Sequence, residues 1–325
     1  MKLPRRQFLH LAAGAAALPA FSRTTWAQAY PARPVRVIVG FTPGGGNDIV
    51  ARLIGQWLSE RLGQPFVIEN RPGAGSNIGT QAVANAPPDG YTLLLCGTTN
   101  AINETYYQKL SFSFVRDIAP ISSITRQPQV MLAHPSFAAK TLAELIAYAK
   151  ANPDKVNMSS AGVGSIGHLA GELFKMMTGV HMVHVPFGGN SPALTALLGG
   201  QVEVSFASMP SSIEFIRTGK LRGLAVTSAV RSEALLDVPA GAETVPGYEV
   251  SAWYGVGAPK GTPAEVVDKL NKEINAGLAD AKLKARIAEF GGTPMALSSA
   301  EFGNFIADET EKWGKVIRAA NIRPQ

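Results

Sequence analysis

Cysteine is nearly absent from this chain: Cys96 stands alone, so no disulfide can form within it, even in a compartment that would favour one. Histidine is scarce as well. With no H-E-x-x-H pair and no cysteine pair, neither zinc chemistry nor a Cys-His nucleophile has support, and no metal or cofactor is expected. The P-loop pattern is missing. There is no Lys/Arg run and no basic stripe alternating with aromatics, which argues against a nucleic-acid partner. Long apolar runs are lacking too. The longest, Phe8 to Phe21, has 14 residues, against the roughly 20 needed to cross a bilayer.

That run follows Lys2, Arg5 and Arg6 and precedes Ala27-Gln28-Ala29, the layout of an export signal over residues 1–29 with the mature chain starting at Tyr30. Arg5-Arg6-Gln7-Phe8-Leu9 resembles the twin-arginine pattern, but Pro4 and His10 are atypical neighbours, so both bacterial export routes stay open. Either route ends in the periplasm, and a soluble protein without a membrane anchor is expected there. The formal charge of +6 shrinks once Lys2, Arg5, Arg6 and Arg23 are removed, leaving 26 basic against 24 acidic side chains. The remaining 296 residues exceed what one core usually serves, so two lobes are expected.

Short β-branched runs alternate with amphipathic stretches. Strands are predicted at 35–41, 66–69, 92–97, 129–133, 155–160, 182–186, 202–207, 221–227 and 251–258. Helices are predicted at 46–62, 141–151, 166–178, 191–199, 264–278 and 299–319, with stop signals at Gly63, Asn152-Pro153 and Gly179. This is the pattern of an α/β protein with largely parallel sheets. Ile118–Val130 and Ser228–Trp253 lack helical periodicity and are expected to cross between lobes. Lobe one would then comprise 30–126 plus 253–325, lobe two 127–252, and the double connection would allow hinge closure.

Three glycine turns are candidate sites. In Phe41-Thr42-Pro43-Gly44-Gly45-Gly46-Asn47-Asp48 a strand runs into a helix through three glycines, either as a tight turn or as a cradle of N–H groups for an anion. Asp48 reads first as a helix-start carboxylate. Gly162-Val163-Gly164-Ser165-Ile166-Gly167 fits G-x-G-x-x-G, yet no carboxylate lies between Glu172 and Glu203 to hold a ribose, so a dinucleotide fits poorly. A smaller acid suits the exposed N–H groups and Ser165 hydroxyl better, with His168 either touching it or packing behind the turn. Gly189-x-Ser191-x-Ala193 resembles a hydrolase elbow, but Pro192 has no N–H for an oxyanion, and Ser191 reads instead as a helix N-cap. His181 and His184 should point to opposite faces of a strand, which disfavours a shared metal.

The ordered set Phe41-x-Pro43-Gly44-Gly45-x-x-Asp48, Glu69-Asn70-Arg71-x-Gly73-Ala74-Gly75, Pro88-Asp89-Gly90-Tyr91-Thr92-Leu93, Gly162-x-Gly164-Ser165-x-x-His168, Gly219-Lys220-Leu221-Arg222, Leu224-Ala225-Val226-Thr227 and Lys312-Trp313-Gly314 spans the mature chain. It resembles the Bug family of tripartite tricarboxylate transporter solute receptors. The resemblance implies a type II periplasmic binding protein with two α/β lobes and a ligand cleft, a small carboxylate solute, and the membrane permease subunits of such a transporter as partners. It implies no enzymatic activity. A ligand carboxylate would be held by backbone N–H groups and hydroxyls of loops 41–46 and 162–168, with Phe187, Gly188 and the strand end near Thr98 completing the site. Members commonly carry aspartate where this chain has Ala207, which points away from an amino-acid ligand. Two rival functions remain at this stage: a sensor that docks to a signalling receptor, and an exported serine hydrolase.

Overall fold

The structure, a computed structural model, describes residues 30–107, 109–319 and 322. The predicted export signal lies outside the described residues.

Strand β1 (Val35–Val39) opens the chain and feeds the glycine turn into α1 (Gly46–Leu62), which stops where Gly63 takes a left-handed φ of 72° and its N–H caps Ser59 O. After β2 (Phe66–Asn70) come α2 (Asn77–Ala84), β3 (Thr92–Gly97) and α3 (Thr98–Tyr106). Here β1 lies between β2 and β3 in parallel register. Both faces of this sheet are covered. Val37 and Val39 enter one apolar cluster and Ile38 another, which is why the strand reads as an unbroken hydrophobic run.

The next strand, β4 (Ile118–Ala133), runs 16 residues. Later strands are β5 (Asn157–Ser160), β6 (Val183–Pro186), β7 (Val204–Ser208), β8 (Arg222–Val226), β9 (Ser251–Pro259) and β10 (Thr293–Pro294). The remaining helices of eight residues or more are α4 (Leu142–Ala151), α5 (Ile166–Thr178), α6 (Asn190–Leu198), α7 (Met209–Arg217), α8 (Ala264–Ala279), α9 (Ala281–Glu289) and α10 (Ser299–Ala319).

The sheet order is β2-β1-β3-β9-β4-β7-β5-β6, with β8 and β10 also pairing β4. Residues Ile118–Pro128 of β4 pair with β9, whereas Gln129–Ala133 pair with β7, so a single strand serves both lobes. The chain returns on β9, which lies antiparallel to β3 and β4. The segment expected as a crossing at 118–130 does pass from one lobe to the other, but as strand over its whole length, with register shifts at Pro120/Ser122 and Ser123/Thr125. Its prolines misled the reading: Pro120 sits where the register slips and Pro128 at the last β9 pair, places where a missing N–H is tolerated. Four helices, α2, α3, α7 and α9, are not expected from the sequence; each has only eight or nine residues, too short for a clear helical period. Their starts are polar or glycine-rich, and tertiary packing decides them.

The closing Lys312-Trp313-Gly314 motif has a packing explanation. Trp313 and Trp253 both donate ring N–H groups to buried Glu309, at 3.0 and 3.1 Å, tying α10 to β9.

Candidate ligand-binding cleft

Between the lobes lies a cleft of about 230 Å³ lined by Gly40 and Phe41, Gly73 to Ser76, Tyr107, Ala161 to Val163, and Pro186 to Gly188. Apart from Tyr107, which follows α3, the lining segments begin where strands end, because a sheet delivers its loops to one edge. Residues 40–41 leave β1, 73–76 follow β2, 161–163 leave β5 and 186–188 leave β6. No charged side chain lines it among the described residues. Polar recognition therefore falls to backbone and hydroxyl groups.

The two predicted turns differ in how they meet the cleft. In the first, Phe41 lines it, while Thr42 to Gly45 meet the opposite lobe. A Cβ on Gly189 would lie 3.2 Å from Thr42 N, one on Gly45 would sit 3.7 Å from Asn190 Cβ, and Ser191 Oγ donates to Pro43 O at 2.6 Å. Ser191 is thus an interlobe donor and not the N-cap expected of it; α6 starts at Asn190, capped by Gly189. The Gly44 N–H is not free, since it donates to Asp48 Oδ2 at 2.9 Å. Asp48 also receives Arg52 through both carboxylate oxygens, and Asn70 Nδ2 at 3.0 Å. Burial alone would raise its pKa, but the hydrogen bonds from Arg52, Gly44 and Asn70 outweigh that and hold it below the usual carboxylate value. Asp48 supports the loop from beneath, in line with a helix-start role.

The second turn faces the cleft with Ala161, Gly162 and Val163. Gly162 has φ 127°, a conformation that favours glycine, and a Cβ there would lie 2.8 Å from Phe187 O. Its N–H goes to Ser160 Oγ, the Gly164 N–H to His168 Nδ1 at 3.2 Å, and the Ser165 N–H to Gly162 O. The N–H groups of Ala161 and Val163 have no hydrogen-bond partner among the described residues. Ser165, expected to offer its hydroxyl to the ligand, instead caps α5, its Oγ accepting from His168 N at 3.3 Å, and it is buried behind the turn and absent from the cleft lining. His168 is 6% exposed and packs there too, its ring stacked on His184 with centroids 4.0 Å apart.

Phe187 and Gly188 line the cleft. Thr98 does not. It is the first residue of α3, and its Oγ1 accepts from Trp253 N at 2.8 Å. Ala207 lies fully buried in an apolar cluster with Val130, Leu194 and Val226, away from the cleft lining.

Gly73–Ser76 and Tyr107 also line the cleft, with no site role expected of them from the sequence. Four successive residues here have positive φ: Gly73 at 131°, Ala74 at 46°, Gly75 at 60° and Ser76 at 80°. Two of them are not glycine, and such strain persists where surrounding structure imposes it. Asn103 Nδ2 supplies one restraint, donating to Gly75 O at 2.7 Å. The Gly73-Ala74-Gly75 motif could have flagged the segment; nothing local distinguishes Tyr107 from its neighbour Tyr106.

Two α/β lobes, bridged by β4 around a cleft, define the class as a solute-binding protein of the periplasmic type. The sequence profile described as tripartite tricarboxylate transporter family receptor matches residues 50–322, and the chain belongs to that family. Protein BugT of Bordetella pertussis is 39% identical over 300 residues, covering 91% of this chain and 92% of the relative. Among solved structures, R. palustris Rpa4515 with adipate has a TM-score of 0.89 at 38% identity, covering 91% of this chain and all of that one. MatC from Rhodopseudomonas palustris with bound malate has a TM-score of 0.84 at 32% identity, covering 89% of this chain and 100% of its own. No described helix is long and apolar enough to cross a membrane.

Proposed function

We propose that this protein captures a small carboxylate in its interlobe cleft in the periplasm and delivers it to the permease subunits of a tripartite tricarboxylate transporter. The observation that carries the reading is the cleft itself, an uncharged pocket with main-chain donors at its wall, in a family with solved neighbours that hold adipate and malate. In this reading the lobes divide near 126/127 and 252/253, and the switch of β4 from β9 to β7 between Pro128 and Gln129 supports a boundary in that strand. Direct contact falls to Phe41, Gly162, Phe187 and Gly188, joined by Tyr107, Ala161 and Val163. Thr42, Pro43, Gly44, Gly45, Asp48, Thr98, Gly164, Ser165, His168 and Ala207 shape the walls from behind.

The energetics are adequate. Micromolar affinity requires ~8 kcal/mol, and hydrogen bonds to a charged group contribute about 1.5–3 kcal/mol each. Three or four such bonds with aromatic contact from Phe41 and Phe187 reach that sum. A thermal-shift screen of carboxylates tests the reading. A cognate acid at a hundredfold excess over its Kd adds about 2.7 kcal/mol, so Tm should rise by several degrees. A screen of mono-, di- and tricarboxylates in which none raises Tm would refute it.

A further inference from the structure

We propose that His168 and His184 are positioning residues forming a proton-sensitive clamp behind the cleft turn. With both rings neutral they hold residues 160–164 in the shape that presents the Ala161 and Val163 amides; proton uptake releases that shape and the ligand. The inference rests on the carboxylate-binding reading above.

Each ring holds one end of the turn. His168 Nδ1 accepts the Gly164 N–H at 3.2 Å, which places its own proton on Nε2, the atom facing Glu172 at 3.6 Å. His184 Nε2 lies 2.7 Å from Ser160 Oγ, and that hydroxyl in turn accepts the Gly162 N–H at 3.2 Å. The rings are near-parallel, 15° apart, so they couple the two ends. A proton on His168 Nδ1 would set two donors face to face at Gly164 and break that bond. A proton on His184 Nδ1 would be a buried donor without an acceptor, since that atom has no partner among the described residues. Two charged rings at stacking distance would also repel.

The surroundings do not remove this sensitivity. Glu172 on α5 faces His168, and Lys175 of the same helix pairs with that carboxylate at 2.7 Å. Of the elements packed on α5, β5 and β7 carry no titratable residue. Strand β4 brings only Arg126, in the half paired with β9, and α3 brings Glu104, which accepts from Val115 N, and Tyr106 beside Gly164. On β6 the titratable residue is His184 itself. Asp154 and His181 line the hollow beyond Glu172 and Lys175.

The test uses the full mature chain. Without ligand, backbone and imidazole nitrogen resonances are followed from pH 7.5 to 3.0. The Gly162 and Gly164 amides should shift with the midpoint of a histidine ring. Amides that stay fixed while the rings titrate, or rings that take up no proton before unfolding, overturn the clamp. With adipate as probe, calorimetry should give at least fivefold weaker binding at pH 5.5 than at 7.5 after correction for the acid's own protonation, and an affinity independent of pH overturns the clamp. His168→Gln keeps an acceptor that cannot titrate. It should bind more weakly at pH 7.5 yet lose the pH dependence, whereas a pH dependence like that of the wild type overturns the clamp. Should no carboxylate bind at any pH, the receptor reading fails, and the amide titration still decides the clamp.

Discussion

Asp48 receives four hydrogen bonds, from Gly44 N, from two nitrogens of Arg52 and from Asn70, and its own side chain is nearly buried. Replacing it by alanine leaves the Gly44 N–H and the Asn70 amide without their acceptor. Asp48→Ala should therefore lower unfolding stability by about 2 kcal/mol, measurable by urea titration. Exposure of Arg52 to water keeps the cost from being larger. Acid should act through two other groups. Burial, then the neighbouring His168, push the His184 pKa down to about 3. The unfolded chain therefore binds the proton first, and stability falls as pH drops from about 6.5 towards 3. For Glu172 burial raises the pKa, but hydrogen bonds from His168 and Lys175 outweigh it and bring it to about 2, so its contribution is present above about 4.5 and lost below. Thermal melts across pH 3–8 should thus show Tm declining from pH 6.5 downward, with His184→Gln flattening the upper part; a Tm flat between pH 6.5 and 4.5 would contradict the assignment.

At the scale of elements, the strand-to-helix junctions are where sequence and site meet. The junction after β5 requires a left-handed backbone at Gly162, with Phe187 O where a side chain would go. Gly162→Ala should reduce affinity for a bound carboxylate at least tenfold, read by calorimetry, because the turn must shift to relieve both conflicts. Binding equal to wild type would show that the turn is not part of the site. These junctions were legible in part. Helices 46–62 and 166–178 were read with their observed ends, since Gly63 and Gly179 both take the left-handed cap that glycine favours. The start of α6 was misplaced because Ser191 and Pro192 together imitate a capped first turn. Only contact with Pro43 O reveals the serine's other role.

For the whole molecule, closure depends on a few contacts across the cleft mouth. Ser191 on α6 reaches Pro43 of the facing lobe, and Gly75 approaches Val163 so closely that a Cβ would lie 3.1 Å from its carbonyl oxygen. Removing the hydroxyl in Ser191→Ala takes away one interlobe hydrogen bond, worth about 0.5–1.5 kcal/mol. Affinity should fall roughly three- to tenfold, with calorimetry as the measure. Since Ser191 itself is absent from the cleft lining, a loss there would report on closure and not on ligand contact. Unaltered affinity would assign closure to other contacts.

Local chemistry in the chain determined the alternation of strand and helix, the glycine turns and the left-handed stops at Gly63 and Gly179, because period and backbone freedom are properties of neighbouring residues. Which amides remain open was decided only by the fold. Gly44 and Gly164 look as available in sequence as Ala161 and Val163, yet Asp48 and His168 occupy the first pair. The same holds for β4, whose two prolines read as a break until β9 and β7 supply partners on either side. Hydrogen-bond partners and strand neighbours come from residues distant along the chain, and only folding brings them within reach.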